Sequence, residues 1–347
     1  MRLKSLCIIK IVLFLVVLFI GISGCVQSDT KTSVPLHNEI VVTDSDGNVL
    51  TFDSPPQRIV ITGGNIAEVL IMIGASDQIV GVGESVKTDP RLSKYLNNAE
   101  SIGDYSVPNY EKIISLNPDL LLCYSSDKPK NLDLLRKVSV PIGFFDCYKQ
   151  NKLSEEVRNL GVLTGNEKKA NNLSIFIDSV HALIKEKITD IPEDNRPNVY
   201  YETGTDFTAA ASNSGGDWLI TTSGGKNIAN NASMQWVKVT PEWIILQNPD
   251  VIIKPGNDDN ETSLDQTWKS ITTRSGFNEL KAIQENRTYI LSHDILYGPQ
   301  SVIGLVYIAK ILYPELFNHM DPKSFLDQFS ADFFPEANHP RVIFPNI

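Results

Sequence analysis

The chain has 347 residues, enough for about two domains of ordinary size. Apolar residues make up 42% and charged residues 21%, a balance that supports hydrophobic cores and excludes a disordered or low-complexity polymer. The net charge is −10 and no long Lys/Arg run occurs, which excludes a nucleic-acid binder, because phosphate contacts need clustered cations.

Taken in chain order, the first element is an address. Arg2, Lys4 and Lys10 precede a 12-residue apolar run, Ile11 to Ile22. As a helix it spans about 18 Å, short of the roughly 30 Å hydrocarbon core. It ends in Ile22-Ser23-Gly24-Cys25, small residues before a cysteine, so residues 1–24 are expected to be a lipoprotein signal peptide with Cys25 lipidated. The other outcome is a retained anchor helix starting near Leu6. Residues 25–38 are polar and suit a flexible tether. Either way the remainder is expected outside the cytoplasm, held to the outer face of the membrane. Beyond Cys7 and Cys25, Cys123 and Cys147 each follow an apolar run; a disulfide and two buried thiols both fit.

Residues 39–53 predict two short strands around Asp46-Gly47. Strands are then expected at Arg58–Thr62, Gln78–Val82, Asp119–Cys123 and Pro141–Phe145. Helices alternate with them from Asn65, where Asn65 and Glu68 form a capping-box pattern, and at Asn109–Leu116 and 132–138. A helical stretch from Leu153 to Ile188 breaks near Gly161 and Gly165, and Pro192 to Pro197 mark a boundary. The alternation resumes with strands at Asn198–Glu202, Asp250–Lys254 and Tyr289–Leu291 and helices at Thr240–Leu246, Gly276–Ile283 and Gln300–Leu312. The last stretch, 320–347, is expected to pack along a lobe. The fold class is therefore α/β: two lobes with parallel-type sheets, residues 39–152 and 193–347, joined by a bridging helical segment, 153–192.

One internal repeat stands out. Asn109 to Leu122 and Thr240 to Ile253 share a glutamate, Ile-Ile, Asn-Pro-Asp and an aliphatic strand at a constant offset of 131 positions, Glu111 to Glu242. Each copy predicts N-cap, short helix, turn and buried strand. Both glutamates suit helix capping and the macrodipole; as a matched pair, one per lobe, they also suit clamping a two-fold partner through arginines. No Walker loop, nucleophile elbow or zinc-protease motif occurs, and the five histidines have no metal-ligand spacing.

The signal box, Pro56-Gln57-Arg58-Ile59-Val60, Glu68 to Ala75, Ile79-Val80-Gly81-Val82, the Asn109–Asp119 segment, Gly224-Gly225-Lys226-Asn227, Glu242 to Asp250 and Tyr289 together resemble periplasmic binding proteins for iron–siderophore, haem and cobalamin. The similarity covers roughly residues 40–315. It implies two α/β lobes on a rigid helix, a ligand cleft between them, only a small hinge motion, and docking of Glu111 and Glu242 on arginines of a two-fold ABC permease dimer with its ATPase. No cofactor is implied; the ligand would be a small-molecule metal chelate such as a ferric siderophore, a corrinoid or haem. The chain would be a monomer and not an enzyme. A surface enzyme acting on a cleft-bound cofactor and a ligand-sensing ectodomain are the rival readings.

Ligands of parallel sheets sit outside the carboxyl ends of the strands. That rule selects Thr62–Asn65, Glu84–Lys87, Gly103–Tyr105 and Tyr124 in the first lobe. In the second it selects Thr203–Phe207, Trp218, Trp236, Lys254–Asn257, Arg274 and Tyr297. Tyr105, Trp218 and Tyr297 lead, with Trp236, because rigid aromatic area suits a macrocycle. Arg274 and Lys87 are the candidates for an anionic group.

Overall fold

A computed structural model describes residues 39–137, 139–257, 263–334 and 341–347. The signal segment, Cys25 and the tether lie outside the described residues. Two five-stranded sheets carry the fold. The first runs in spatial order Glu100–Ser101, Ile79–Val82, Ile59–Ile61, Leu120–Cys123 and Ile142–Phe144, all parallel. The second runs Lys226–Asn227, Asn198–Tyr201, Val251–Gly256, Thr288–Ser292 and Ile343–Phe344, parallel except for the last strand. Central strands such as Leu120–Cys123 and Val251–Gly256 are buried throughout. Helices cover both faces of such strands, so they need continuous apolar runs rather than alternation.

The repeat has a structural meaning beyond its helices. Asn117 and Asn248 adopt matching left-handed backbones, φ 47° and 43°, which asparagine tolerates better than most residues. The proline that follows ends the helix. The aspartate then ties the adjacent strand in place: Asp119 accepts from the Gln57 and Arg58 amides at 2.7 and 2.9 Å, and Asp250 from the Asn198 amide at 2.8 Å. Asn-Pro-Asp is thus a helix stop and a strand clip in one, used once per lobe.

Helix Leu153–Thr164 turns at Gly165, in the left-handed conformation at φ 71°, into helix Glu167–Ile188. The latter has 22 residues and so is about 33 Å long. The two pack closely because Gly161 has no side chain; a Cβ there would lie 2.2 Å from that of Ala170. Ala170, Leu173, Ile177, Val180 and Ile184 form the buried stripe of the long helix. One hydrophobic cluster runs from Ile61 and Leu122 of the first sheet through this helix pair to Val199 and Ile253 of the second. A core continuous across both lobes resists large hinge rotation, since packed interiors do not deform gradually.

The capping box expected at Asn65 and Glu68 does not form. The helix is Gly64–Met72 with Gly63 at its N-cap, and the Tyr124 hydroxyl accepts from the Asn65 amide at 3.2 Å in place of a cap side chain. Gly63 permits this, because a Cβ would overlap the Tyr124 ring at 2.4 Å. Glu68 points into the protein instead and is 4% exposed. Cys123 and Cys147 are buried free thiols, and burial pushes Cys123 up to about 12. Among the described residues, no helix is long and apolar enough to cross a membrane.

Candidate functional site

The carboxyl ends of both sheets face a cavity of about 290 Å³ between the lobes. The first lobe contributes Asn65, Tyr105, Tyr124, Ser126, Asp127 and Tyr148. Across from them stand Tyr201, Thr203, Trp236, His293 and Tyr297 of the second lobe, with Ala210, Gly215 and Gly216. The small residues let the aromatics close in: a Cβ on Gly216 would meet Ala210 at 2.7 Å and the Tyr201 ring at 3.0 Å.

The tyrosines are held by specific contacts. The Tyr105 hydroxyl donates to Asp127 at 2.7 Å, and that bond raises its pKa. Its ring meets Tyr124 edge-on, at 6.3 Å and 77°. Tyr297 stacks on His293 at 4.2 Å and 25°, and burial raises its pKa. Trp236 comes from an antiparallel pair, Thr208–Ala210 with Trp236–Lys238, and is 58% exposed at the rim. Phenols that stay protonated offer hydroxyls and flat apolar area without charge. Among the described residues that line it, Asp127 is the only carboxylate and there is no lysine or arginine.

Of the six leading residues selected from the sequence, Tyr105, Trp236 and Tyr297 meet in one place, joined by Asn65, Tyr124 and Thr203 from the wider selection. Three others do not line this cavity. Trp218 lines a second one beside it. Lys87 donates to the Leu96 carbonyl at 3.1 Å. Arg274 is committed to Glu202 through two bonds of 2.7 and 2.8 Å and lies over the Phe207 ring at 4.3 Å. The sequence reading passed over Ser126, Asp127 and Tyr148. All three follow strand ends, so the rule that found Tyr105 also reaches them.

The lobes are also joined by polar contacts. Glu68 accepts from Gln300 at 2.6 Å, and Arg91 pairs with Asp294 at 2.8 Å and with Asp89 at 2.7 Å. Burial pushes the Glu68 carboxyl up to about 7, although Arg91 at 3.9 Å opposes the shift. Between the ordinary carboxylate range and that value, the folded chain holds a proton that the unfolded chain has released. Stability therefore falls as pH rises through this window. A thermal melt series from about pH 5 to about pH 7.5 should show this fall, and Glu68→Gln should flatten it; equal slopes for both proteins would refute the assignment to Glu68.

Glu111 and Glu242 lie away from the cavity lining, exposed on the first turns of helices Tyr110–Ser115 and Pro241–Gln247. Asn109 and Thr240 cap these helices, accepting from the Lys112 and Trp243 amides at 2.9 and 3.2 Å. The backbone amide of its own turn and the Thr240 hydroxyl hold the Glu242 carboxyl below its ordinary value. Among the described residues, no group of three or more His, Cys, Asp or Glu side chains is placed to hold a metal ion.

Two α/β lobes on a helical spine, with an aromatic cavity at the strand ends between them, define a bilobal solute-binding protein. Residues 59–295 match the family described as periplasmic binding protein, and the chain belongs to that family. It is 26% identical over 286 residues to the uncharacterized ABC transporter substrate-binding lipoprotein YvrC of Bacillus subtilis, covering 80% of this chain and 87% of that one. It is 28% identical over 213 residues to a cobalamin-binding protein of Halobacterium salinarum, covering 60% and 57% of the two chains. The TroA-like periplasmic binding protein FepB of Veillonella parvula shares the fold at a TM-score of 0.73 and 22% identity, over 88% of this chain and 99% of that one.

Proposed function

We propose that this chain is the lipid-anchored binding component of an ABC importer and that its ligand is a corrinoid. It captures the ligand between the lobes outside the cytoplasm and delivers it to a permease dimer through Glu111 and Glu242. The carrying observation is the cavity lining: Tyr105, Tyr124, Tyr148, Tyr297 and Trp236 with no cation among them. A flat macrocycle with its charge masked suits such walls. A multiply anionic ferric catecholate needs arginines, and the arginine expected from the sequence to serve, Arg274, is bound to Glu202. A metal enclosed in a chelate requires no ligand cluster from the protein. Relatives named as cobalamin-binding and vitamin B12-binding proteins support the same ligand class.

Native mass spectrometry of the full-length protein in detergent, against cyanocobalamin, haemin and a ferric catecholate, tests the reading. A one-to-one cyanocobalamin adduct is expected, and titration should quench tryptophan fluorescence. Trp236→Ala should weaken binding about tenfold, ~1.4 kcal/mol. An adduct with haemin or the catecholate alone, or none at all, would overturn the corrinoid assignment.

A further inference from the structure

A second cavity, of about 320 Å³, lies in the same seam between the lobes. Its walls are built largely from chain neighbours of the residues that line the first. Ser125 lines it where Ser126 lines the aromatic cavity, Lys149 stands next to Tyr148, and Gln235 next to Trp236; Asn213 and Trp218 bracket Gly215 and Gly216. Tyr148 lines the aromatic cavity, and the side chain of Gln235, which lines the second, lies beside its hydroxyl with that of Ser126.

The chemistry of the two spaces differs. The second carries Lys149, Lys152, Asn213, Gln235 and Trp218. Its carboxylates are already engaged with the protein. Asp146 accepts from the Ser126 amide at 2.9 Å and from Lys149 at 2.7 Å. Glu156 accepts from the Asp146 and Cys147 amides at 3.1 and 2.6 Å. Donors remain. Among the described residues, Lys152 pairs with exposed Glu155, at 3.1 Å, a contact that water screens. The Trp218 indole nitrogen is buried and has no acceptor among the described residues, an uncommon condition for a native donor.

We propose that this second cavity is a subsite for a polar arm of the ligand, one that presents oxygen acceptors to Trp218 and Lys152 while the macrocycle lies against the tyrosines next door. The inference rests on the corrinoid reading above. Cyanocobalamin has such an arm, a nucleotide loop with phosphodiester and ribose oxygens. Dicyanocobinamide is the same ring system without that loop.

Both compounds are titrated by calorimetry into the full-length protein in detergent, as wild type, Trp218→Phe and Lys152→Gln. The wild type is expected to prefer cyanocobalamin by about tenfold, the effect of a charge-assisted hydrogen bond or more. Each substitution should cost severalfold more affinity for cyanocobalamin than for dicyanocobinamide. Trp218→Phe keeps the ring and removes only the N–H, and Lys152→Gln alters a different wall, so the two report independently. Equal wild-type affinity for the two compounds, or a preference that survives both substitutions, overturns the subsite and leaves the corrinoid reading standing. No binding of either compound overturns both.

Discussion

Replacing Glu202 by alanine should lower folding stability by about 3–5 kcal/mol, the range for removing one partner of a buried ion pair. Glu202 is fully buried at the end of strand Asn198–Tyr201. It accepts from Lys254 at 2.7 Å, from Arg274 through two bonds, from the Tyr200 hydroxyl at 2.9 Å and from the Phe207 amide at 3.1 Å. Burial pushes its carboxyl up, but Arg274 and Lys254 outweigh that and its pKa is lowered. Without the carboxylate, two cations whose side chains are 5% and 10% exposed would keep one acidic partner, Asp206, itself 61% exposed. Urea unfolding should show a lower midpoint at an unchanged slope. A loss below about 1 kcal/mol would mean that the cluster is not held by this charge. The pairing also sets an acid limit: a lowered carboxylate pKa contributes stability above its unfolded value and loses it as pH falls through the folded one. Ligand affinity should drop as well, because Lys254 also holds the carbonyl of Thr203, at 3.0 Å, and Thr203 lines the cavity.

That cluster shows why Arg274 was misplaced by reading the sequence. Its partner, Glu202, is 72 residues away, and nothing local ties the two together. The lobes and the long helix were legible because their signals are local: apolar runs of strand length, helical periodicity, and the Asn-Pro-Asp turn. Elements whose formation depends on distant contacts were not. The strand Ile343–Phe344 exists by pairing with Ile290 and Leu291, and the rim hairpin joins Thr208–Ala210 to Trp236–Lys238 across an intervening helix. That helix, Gly215–Thr222, starts at two glycines that look like breakers. Ser214 starts it anyway, accepting from the Asp217 amide at 3.2 Å. The strand-end rule selected Tyr105 and Tyr297, whose loops leave the sheets directly and which line the cavity. Trp218 was assigned with them, but it sits one turn into a helix, where each residue rotates the side chain by about 100°. That rotation carries it from the aromatic cavity to the neighbouring one.

Charge reversal at both Glu111 and Glu242 should abolish ligand uptake in cells while leaving ligand affinity within about twofold, less than half a kcal/mol. Both side chains are exposed and neither lines the cavity, so binding between the lobes has no reason to change. The helices should persist, because Asn109 and Thr240 supply the caps and Ile113 and Ile244 bury the inner faces. What changes is the outward charge. In the proposed docking, a two-fold permease would offer the same surface twice, and one repeat per lobe would meet it with two equivalent carboxylates. Arginine pairing of a carboxylate is bidentate and directional, so under the proposed docking an introduced arginine would repel where glutamate would be clamped. A single reversal should leave partial uptake and the double reversal none, with Glu→Gln at both sites intermediate. Uptake is measured with radiolabelled ligand in cells, and affinity by titration of the purified variants. If the double variant loses affinity in step with uptake, the glutamates act on the ligand site and not on docking. If uptake survives double reversal, the permease grips another surface, and the constant offset of 131 positions between them records only a shared way of starting a helix.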